Sequence, residues 1–522
     1  MNPDSPAIRI IPPTARQVLS ENAGVSFDEE GDSETQDKDG LVMRCWGIDR
    51  RAPSAGVPRL QLWCVIVLAI LVSGCQSPNA RTNRAPLAAE LQERTCHDLP
   101  AESSPCESIL PPDVDLLDGL SEEEAIATAL WNNAQFHSTL SQLGMAWGDI
   151  VQSGLLTNPQ FQYYFGGGSK QIEYTLYLPV EALVLRKQRI TITEREYCRV
   201  SQELVQNGLN LVRDVRVAYA DFVFAVERAS LAEEALQVRS NIADLSEKQF
   251  EAGDIGELES MTARIEALRA ESDAAGLREQ VVIARELVAN LMGIGTMNLE
   301  FLPSDQHQAV TSEFDPDVLL ADALISRPDL RAAQYAIAAA DHRGRLAHWL
   351  WLRFDGIVDG NAGGSGATNI GPGIRFDIPI FDRNEGGIIR ADWTTDQALH
   401  NFDAVRDSVV MEVRTAAAQL RQADASLSIL QEDVLPPLRE AIHLSEQAYR
   451  DGGISFLLTL QSTTQFLDAR ARELELSAAR HRALAELERS VGRRLVTPQD
   501  SVDPVESSPL LLDEEIPVQE LE

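Results

Sequence analysis

What most limits how this chain can fold is that it repeats itself. Leu178-Pro179-Val180 returns as Ile378-Pro379-Ile380, Phe250-Glu251-Ala252-Gly253 as Tyr449-Arg450-Asp451-Gly452, and Leu291-Met292-Gly293 as Ser490-Val491-Gly492, within an overall offset of 194 to 200 residues. Each copy reads as long helical tracts around one pair of short alternating strands. Neither copy holds enough strand to close a sheet by itself, so the expected fold is mainly α with a small β part that needs further copies.

Both copies open alike. Ser121-Glu122-Glu123-Glu124 is a capping box ahead of Ala125, Ile126, Ala129 and Leu130, and Phe314-Asp315-Pro316-Asp317 precedes Leu319, Leu320, Ala323 and Leu324. Each opening is read as one helix, to about Leu156 and to about Trp349. Strands follow: Phe161, Tyr163 and Phe165 alternate with Gln160, Gln162 and Tyr164, and Ile172, Tyr174, Leu176 and Leu178 alternate with Glu173, Thr175 and Tyr177. The second pair is expected near Leu352 to Gly360 and Ile370 to Ile378. Apolar-out, polar-in strands of this length suit a membrane barrel; the alternative is a small soluble sheet packed on helices. Four strands per chain cannot close a barrel, whereas three chains in a cyclic homotrimer pool twelve.

After each hairpin the pattern predicts a very long helix, about Lys187 to Phe250 and about Gly387 to Tyr449. In the first, Leu231, Ala235, Val238, Ile242 and Leu245 form a heptad seam. Roughly 64 residues reach about 95 Å. Pro436-Pro437 is expected to kink the second tract. Both then turn at glycine, through Ala252-Gly253-Asp254-Ile255-Gly256 and Asp451-Gly452-Gly453-Ile454-Ser455, and return to Gly293 and about Gly492.

Forty-five basic residues against 80 acidic, a formal charge of −35, argue against binding a nucleic-acid backbone. A solvated acidic surface explains most of that charge, and an acidic lumen conducting cations would add to it. Six cysteines show no CxxC spacing, eight histidines no ligand pair on a helix face, and the sequence has no nucleophile elbow, P-loop or HExxH. No metal, cofactor or catalytic activity is therefore expected. Cys96 and Cys106, ten residues apart, are a candidate disulfide in an oxidising compartment.

Arg44, Arg50, Arg51 and Arg59 precede the apolar run Leu60 to Val72, which is too short to span a bilayer and reads as a secretory signal. Its ending, Val72-Ser73-Gly74-Cys75-Gln76, resembles the lipobox of bacterial lipoproteins. That resemblance implies cleavage before Cys75, lipid on its thiol and sorting to the outer membrane. Residues 1–42 are acidic around Asp28 to Asp39 and are read as an extension ahead of a start at Met43. The remaining divisions are a signal peptide over 43–74, a tether over 75–120, repeats over 121–300 and 301–496, and an acidic disordered tail over 497–522.

Arg327-Pro328-Asp329-Leu330 resembles a repeat opening of the TolC family of bacterial outer-membrane efflux proteins. Ile378-Pro379-Ile380-Phe381-Asp382-Arg383-Asn384-Glu385-Gly386 resembles its strand-to-helix crossover, and is most similar to the cobalt-zinc-cadmium branch. The resemblance implies a trimeric twelve-stranded β-barrel continued by a twelve-helix tube across the periplasm, conducting passively for an inner-membrane pump and a periplasmic adaptor. It places the two glycine turns, Gly253 and Gly452, at a closed tip, with Tyr449 and Glu259 at gate positions. Positions commonly acidic after the second turn are Leu458 and Gln461 here, a departure from the family's anionic constriction. Read without the family, Glu259 is a surface acid favoured by a helix N-terminus and Tyr449 packs at a turn. The rival for the whole chain is a lipid-anchored coiled-coil scaffold with no pore.

Overall fold

The computed structural model describes residues 84–100, 109–112, 114, 119–166, 172–297, 299–304, 314–362, 368–450 and 456–495. The 1–42 extension, the signal region, Cys75, Cys106, Gly452 and the tail lie outside the described residues. In chain order the elements are α1 (Ala85–Thr95), α2 (Glu122–Asn132), α3 (Ala134–Gly154), β1 (Gln160–Tyr164), β2 (Ile172–Pro179), α4 (Glu181–Ala252) and α5 (Glu257–Leu291). The second copy follows with α6 (Pro316–Ser326), α7 (Pro328–Ala347), β3 (Phe354–Ala362), β4 (Thr368–Phe376), α8 (Glu385–Ile429), a π-helical turn (Leu430–Val434), α9 (Leu435–Arg450) and α10 (Phe456–Val491).

The single opening helix expected in each copy is two helices. The capping box forms: Glu124 N–H donates to Ser121 Oγ at 3.3 Å, and Ser121 N–H to Glu124 Oε2 at 2.8 Å. The helix then breaks at Asn133, an extended residue whose Oδ1 accepts the Phe136 N–H at 2.9 Å. In the second copy the break is Arg327, held extended because the Pro328 ring bars helical angles in the residue before it. Both breaks receive the end of the returning helix. Asn133 Nδ2 donates to Leu291 O at 2.9 Å; an Arg327 guanidinium N–H donates to Ser490 O at 3.1 Å. Each return stops on a glycine with positive φ, +71° at Gly293 and +86° at Gly492. At Gly293 a Cβ would stand 2.3 Å from Asn132 O, so no other residue fits there without a shift.

Two apolar cores follow from this folding-back. The first gathers Ile126, Leu130, Phe136, Leu204, Val215, Phe222 and Met292. The second, built on smaller residues, gathers Leu319, Val409, Val413, Ala416, Leu420 and Leu487. The segment read as a tether contributes as well: α1 seats Leu87 and Leu91 in the first core, with Leu91 fully buried against Gly208. A Cβ on Gly208 would come within 2.6 Å of Leu91 Cδ1. An apolar pair at i, i+4 behind Pro86 makes α1 a docked helix.

The 72 residues of α4 form one uninterrupted helix, about 108 Å long. It starts earlier than expected because β2 runs straight into it through Val180, whose N–H donates to Phe354 O at 3.3 Å. The second tract is interrupted, and the kink expected at Pro436-Pro437 takes the form of the π turn just before them. Each proline ring would crowd the carbonyl four residues back, and widening the turn relieves it, with the Leu435 N–H bonding to Leu430 O. Among the described residues no helix is long and apolar enough to cross a membrane.

Candidate conduit surfaces: sheet faces and helix tips

The four strands form one antiparallel sheet in the order β1-β2-β3-β4, so a strand of each copy meets at its centre. Register sorts the residues by face. Phe161 pairs with Leu176, which pairs with Val358, which pairs with Pro372; Tyr163, Tyr174, Gly360 and Ile370 make the next such row, and Leu178, Gly356 and Ile374 another. This face is apolar across all four strands, with Phe161 65%, Ile370 65% and Ile374 76% exposed in the single chain. Tyr174 lays its ring over Gly360, where a Cβ would be 2.3 Å from the ring.

The opposite face is polar. Its rows are Gln162-Thr175-Asp359-Gly371, Tyr164-Glu173-Asn361-Asn369 and Gln160-Tyr177-Ile357-Gly373. Thr175 donates to Asp359 Oδ1 at 2.8 Å, and Tyr177 donates to Gln162 Oε1 at 3.2 Å. Arg375 stacks over the Tyr177 ring, 5.4 Å from its centroid, and stands 3.9 Å from Asp355. Within the described sheet β1 pairs only with β2 and β4 only with β3, leaving the outer backbone edge of each strand unpaired.

The crossover from β4 to α8 explains its own sequence. Asn384 is left-handed at φ +65°, takes the Asp382 carboxylate on its N–H at 2.8 Å, and donates its side-chain amide to Ala347 O at 2.8 Å. Gly387 lies beneath it, and a Cβ there would stand 2.3 Å from Asn384 Oδ1, so a larger residue would push the asparagine amide off Ala347 O.

At the far end, α4 stops at Gly253, left-handed at φ +83°, whose N–H closes onto Gln249 O and Phe250 O. The two copies meet near there: Ala263 of the first and Leu460 of the second pack together with Ile242. Ser246 and Ser445, which correspond in the repeat, are both buried, at 1% and 8% exposure. Sequence reading missed these two buried serines, which are polar at positions the heptad pattern leaves unmarked.

Comparison with known proteins decides what this arrangement is. The profile described as outer membrane efflux protein matches residues 154–294 and 319–493, more than half of the chain and one stretch in each copy. The chain belongs to the outer membrane efflux protein family. Among curated relatives, the cobalt-zinc-cadmium resistance protein CzcC of Cupriavidus metallidurans is 26% identical over 390 residues, covering 72% of this chain and 90% of its own. The fold is shared with the Campylobacter jejuni CmeC outer membrane channel, at TM-score 0.62, 13% identity and coverage of 76% of this chain and 92% of that one. It is also shared with the open state of the Neisseria gonorrhoeae MtrE outer membrane channel, at TM-score 0.58, 19% identity and coverage of 75% and 99%. The expected fold class, mainly helical with a four-stranded sheet built from an internal repeat, stands, and this outer membrane efflux protein has a channel fold.

Of the residues singled out from sequence, Gly253 and Glu259 flank the described turn. Glu259 is half-buried in the first turn of α5, and its N–H donates to Gly256 O at 3.0 Å. Tyr449 lies in the last turn of α9, but its side chain is outside the described residues. Cys96 is exposed just past α1; its candidate partner Cys106 is not described, so the pairing stays an expectation. Among the described residues no three His, Cys, Asp or Glu side chains gather as metal ligands would.

Sequence reading missed an ionic relay around the buried Arg327 at the second junction. The Arg327 side chain, 2% exposed, donates to Glu412 at 2.7 Å and Asp329 at 3.0 Å; Arg489 joins Glu412 at 2.9 Å to Glu486, and Glu486 meets Arg213 of α4 at 3.0 Å. Burial works against the Arg327 charge, yet Asp329 and Glu412 hold its pKa above the ordinary value. For Glu412 burial pushes upward, and Arg327 and Arg489 overcome it, leaving the carboxyl below its usual range. Arg327-Pro328-Asp329 in the sequence marked this place, but its partners lie 85 to 163 residues away.

Proposed function

We propose that three copies of this protein assemble into a passive conduit through the outer membrane, fed by an inner-membrane pump and a periplasmic adaptor. The sheet carries the reading: a face apolar across all four strands with both outer edges open suits lipid only when neighbouring copies close the edges. A second unpartnered surface supports copies as well. On α5, Leu258, Met261, Ile265 and Leu268 are spaced 3-4-3 and are 79%, 52%, 44% and 56% exposed, a heptad seam with nothing against it in the single chain.

The polar sheet face then lines the lumen, where Glu173 and Asp359 favour cations. The naming of CzcC for cobalt, zinc and cadmium resistance supports metal cations as cargo. Lipid on Cys75 anchors the chain to the outer membrane. The turns at Gly253 and Gly452, with Glu259 and Tyr449 beside them, form the periplasmic gate, and adaptor binding shifts it toward open.

Reconstitution in a planar bilayer tests this. Discrete conductance that is cation-selective is expected, with changed selectivity in Glu259→Ala and Tyr449→Ala proteins; unchanged conductance and selectivity would remove both residues from the gate. Deleting residues 161–178 and 370–378 should abolish conductance and efflux. A deleted protein that stays trimeric and restores efflux would establish the poreless scaffold instead.

A further inference from the structure

Near the glycine turns the helices of one chain form a row. α5 packs on α4, α4 on α10 and α10 on α9, so α5 and α9 are the ends of the row. Each end helix carries two apolar stripes, and the chain itself fills one of them. On α5, Ala263, Ala270 and Ala274 are buried, while Met261, Ile265 and Leu268 are 52%, 44% and 56% exposed. On α9, Leu435, Leu438, Ile442 and Ser445 are buried or half-buried on the α10 side. A second stripe runs one residue earlier, through Ala441 and Leu444, both exposed, to the half-buried Ala448. A second heptad stripe is what a helix needs for a second neighbour.

We infer that α5 of one copy packs antiparallel on α9 of the next, with Met261 on Ala448, Ile265 on Leu444 and Leu268 on Ala441. The inference rests on the trimeric reading and names the surfaces that join the copies near the turns. Two separate observations give the same register. The first is spacing: both stripes step by four and then three when read away from the turns, which antiparallel packing requires. The second is height. Thr459 of α10 donates to Ser445 O at 3.5 Å, and its neighbour Leu460 packs with Ala263, so Ser445 and Ala263 lie level. Counted from that level, up α5 and back along α9, each of the three pairs falls within about one residue of alignment. A cyclic ring shifts nothing along its axis, so it sets the two open stripes face to face. Small Ala441 and Ala448 then receive the larger Leu268 and Met261. Three apolar layers are too few to hold copies together alone; they fix how the turns meet once the sheets have joined.

The test uses the full mature protein in detergent with Cys96, Cys106 and Cys198 replaced by serine. Ile265→Cys combined with Leu444→Cys should oxidise to a covalent ladder ending at three chains, and so should Leu268→Cys with Ala441→Cys. Leu258→Cys with Leu444→Cys, a heptad out of register, should stay unlinked, as should Ile265→Cys alone. Ile265, Leu268, Leu444 and Leu258 are exposed in the single chain, so these substitutions spare its fold. Native mass is read on the same samples before oxidation. A particle of three chains whose in-register pairs stay unlinked, or one in which Ile265→Cys links to itself, would overturn this interface and leave the trimer standing. A particle of one chain would overturn both.

Discussion

The two copies solve one mechanical problem with different chemistry. In the first, the neutral amide of Asn133 accepts no charge from its surroundings and simply caps Leu291 O; in the second, the same place is taken by Arg327, whose charge must be matched by Asp329 and Glu412. The first copy passes from strand to helix through a single residue and then runs 72 residues unbroken. The second needs an eight-residue crossover pinned by Asn384, and its long tract is widened at the π turn before Pro436. The architecture therefore asks only for a donor aimed at the returning helix end. Charge, proline and left-handed asparagine are additions of the second copy, and they make it the copy with discrete joints.

The largest contrast should come from the two junctions. Arg327→Met leaves Asp329 and the Ser490 carbonyl without their donor, with Glu412 held by Arg489, and is expected to cost about 3 kcal/mol, against about 1–2 kcal/mol for Asn133→Ala. Chemical unfolding of the mature protein measures both. Equal losses would mean the relay contributes nothing beyond one hydrogen bond.

Next come the glycine stops. Both have positive φ, but a methyl on Gly293 would run into Asn132 O at 2.3 Å, while on Gly492 it would meet the Arg327 Cγ at 3.3 Å. Gly293→Ala should therefore destabilise by about 2–3 kcal/mol and Gly492→Ala by about 1–2 kcal/mol, read from melting midpoints.

A smaller effect is expected at the π turn. Pro436→Ala with Pro437→Ala removes the crowding that widens it, so the turn should close to ordinary α geometry and move α9 by about 1.5 Å along the axis. Spin labels at the exposed Met411 and Leu444 would report this as a changed distance, with stability altered by less than about 1 kcal/mol.

The smallest is a pH effect where the two copies meet. Burial alone would raise the Glu123 carboxyl, but a hydrogen bond from His97 and the charges of Arg494 and Arg216 bring it from 4.5 to about 2. A folded value below the unfolded one gives stability that is present above about pH 4.5 and lost as the pH falls toward 2. Glu123→Gln should flatten that acid decline in melting midpoint. The change will be modest, because the side chain is 42% exposed and solvent screens it.

The hairpins and their faces were legible in the sequence because strand periodicity is two, and the register confirms Phe161, Tyr163, Ile172 and Leu176 on one face. The repeat itself carried the fold. Asn133 was not legible as a break, since one asparagine in a helical pattern gives little warning; Arg327-Pro328 did carry that signal, through the proline. Docked α1 was hidden in a polar, proline-containing stretch, and the only large apolar residues of α1 itself are Leu87 and Leu91. The ionic relay could not be read at all, because Arg327, Glu412 and Glu486 become neighbours only once the second copy folds back on itself, and Arg213 joins them from the first.

Everything functional depends on open sheet edges being closed by further copies. The native mass of the mature protein extracted from the outer membrane in detergent tests this directly. Three chains are predicted, held together until the hairpins are removed; a particle with the mass of one chain would contradict the account.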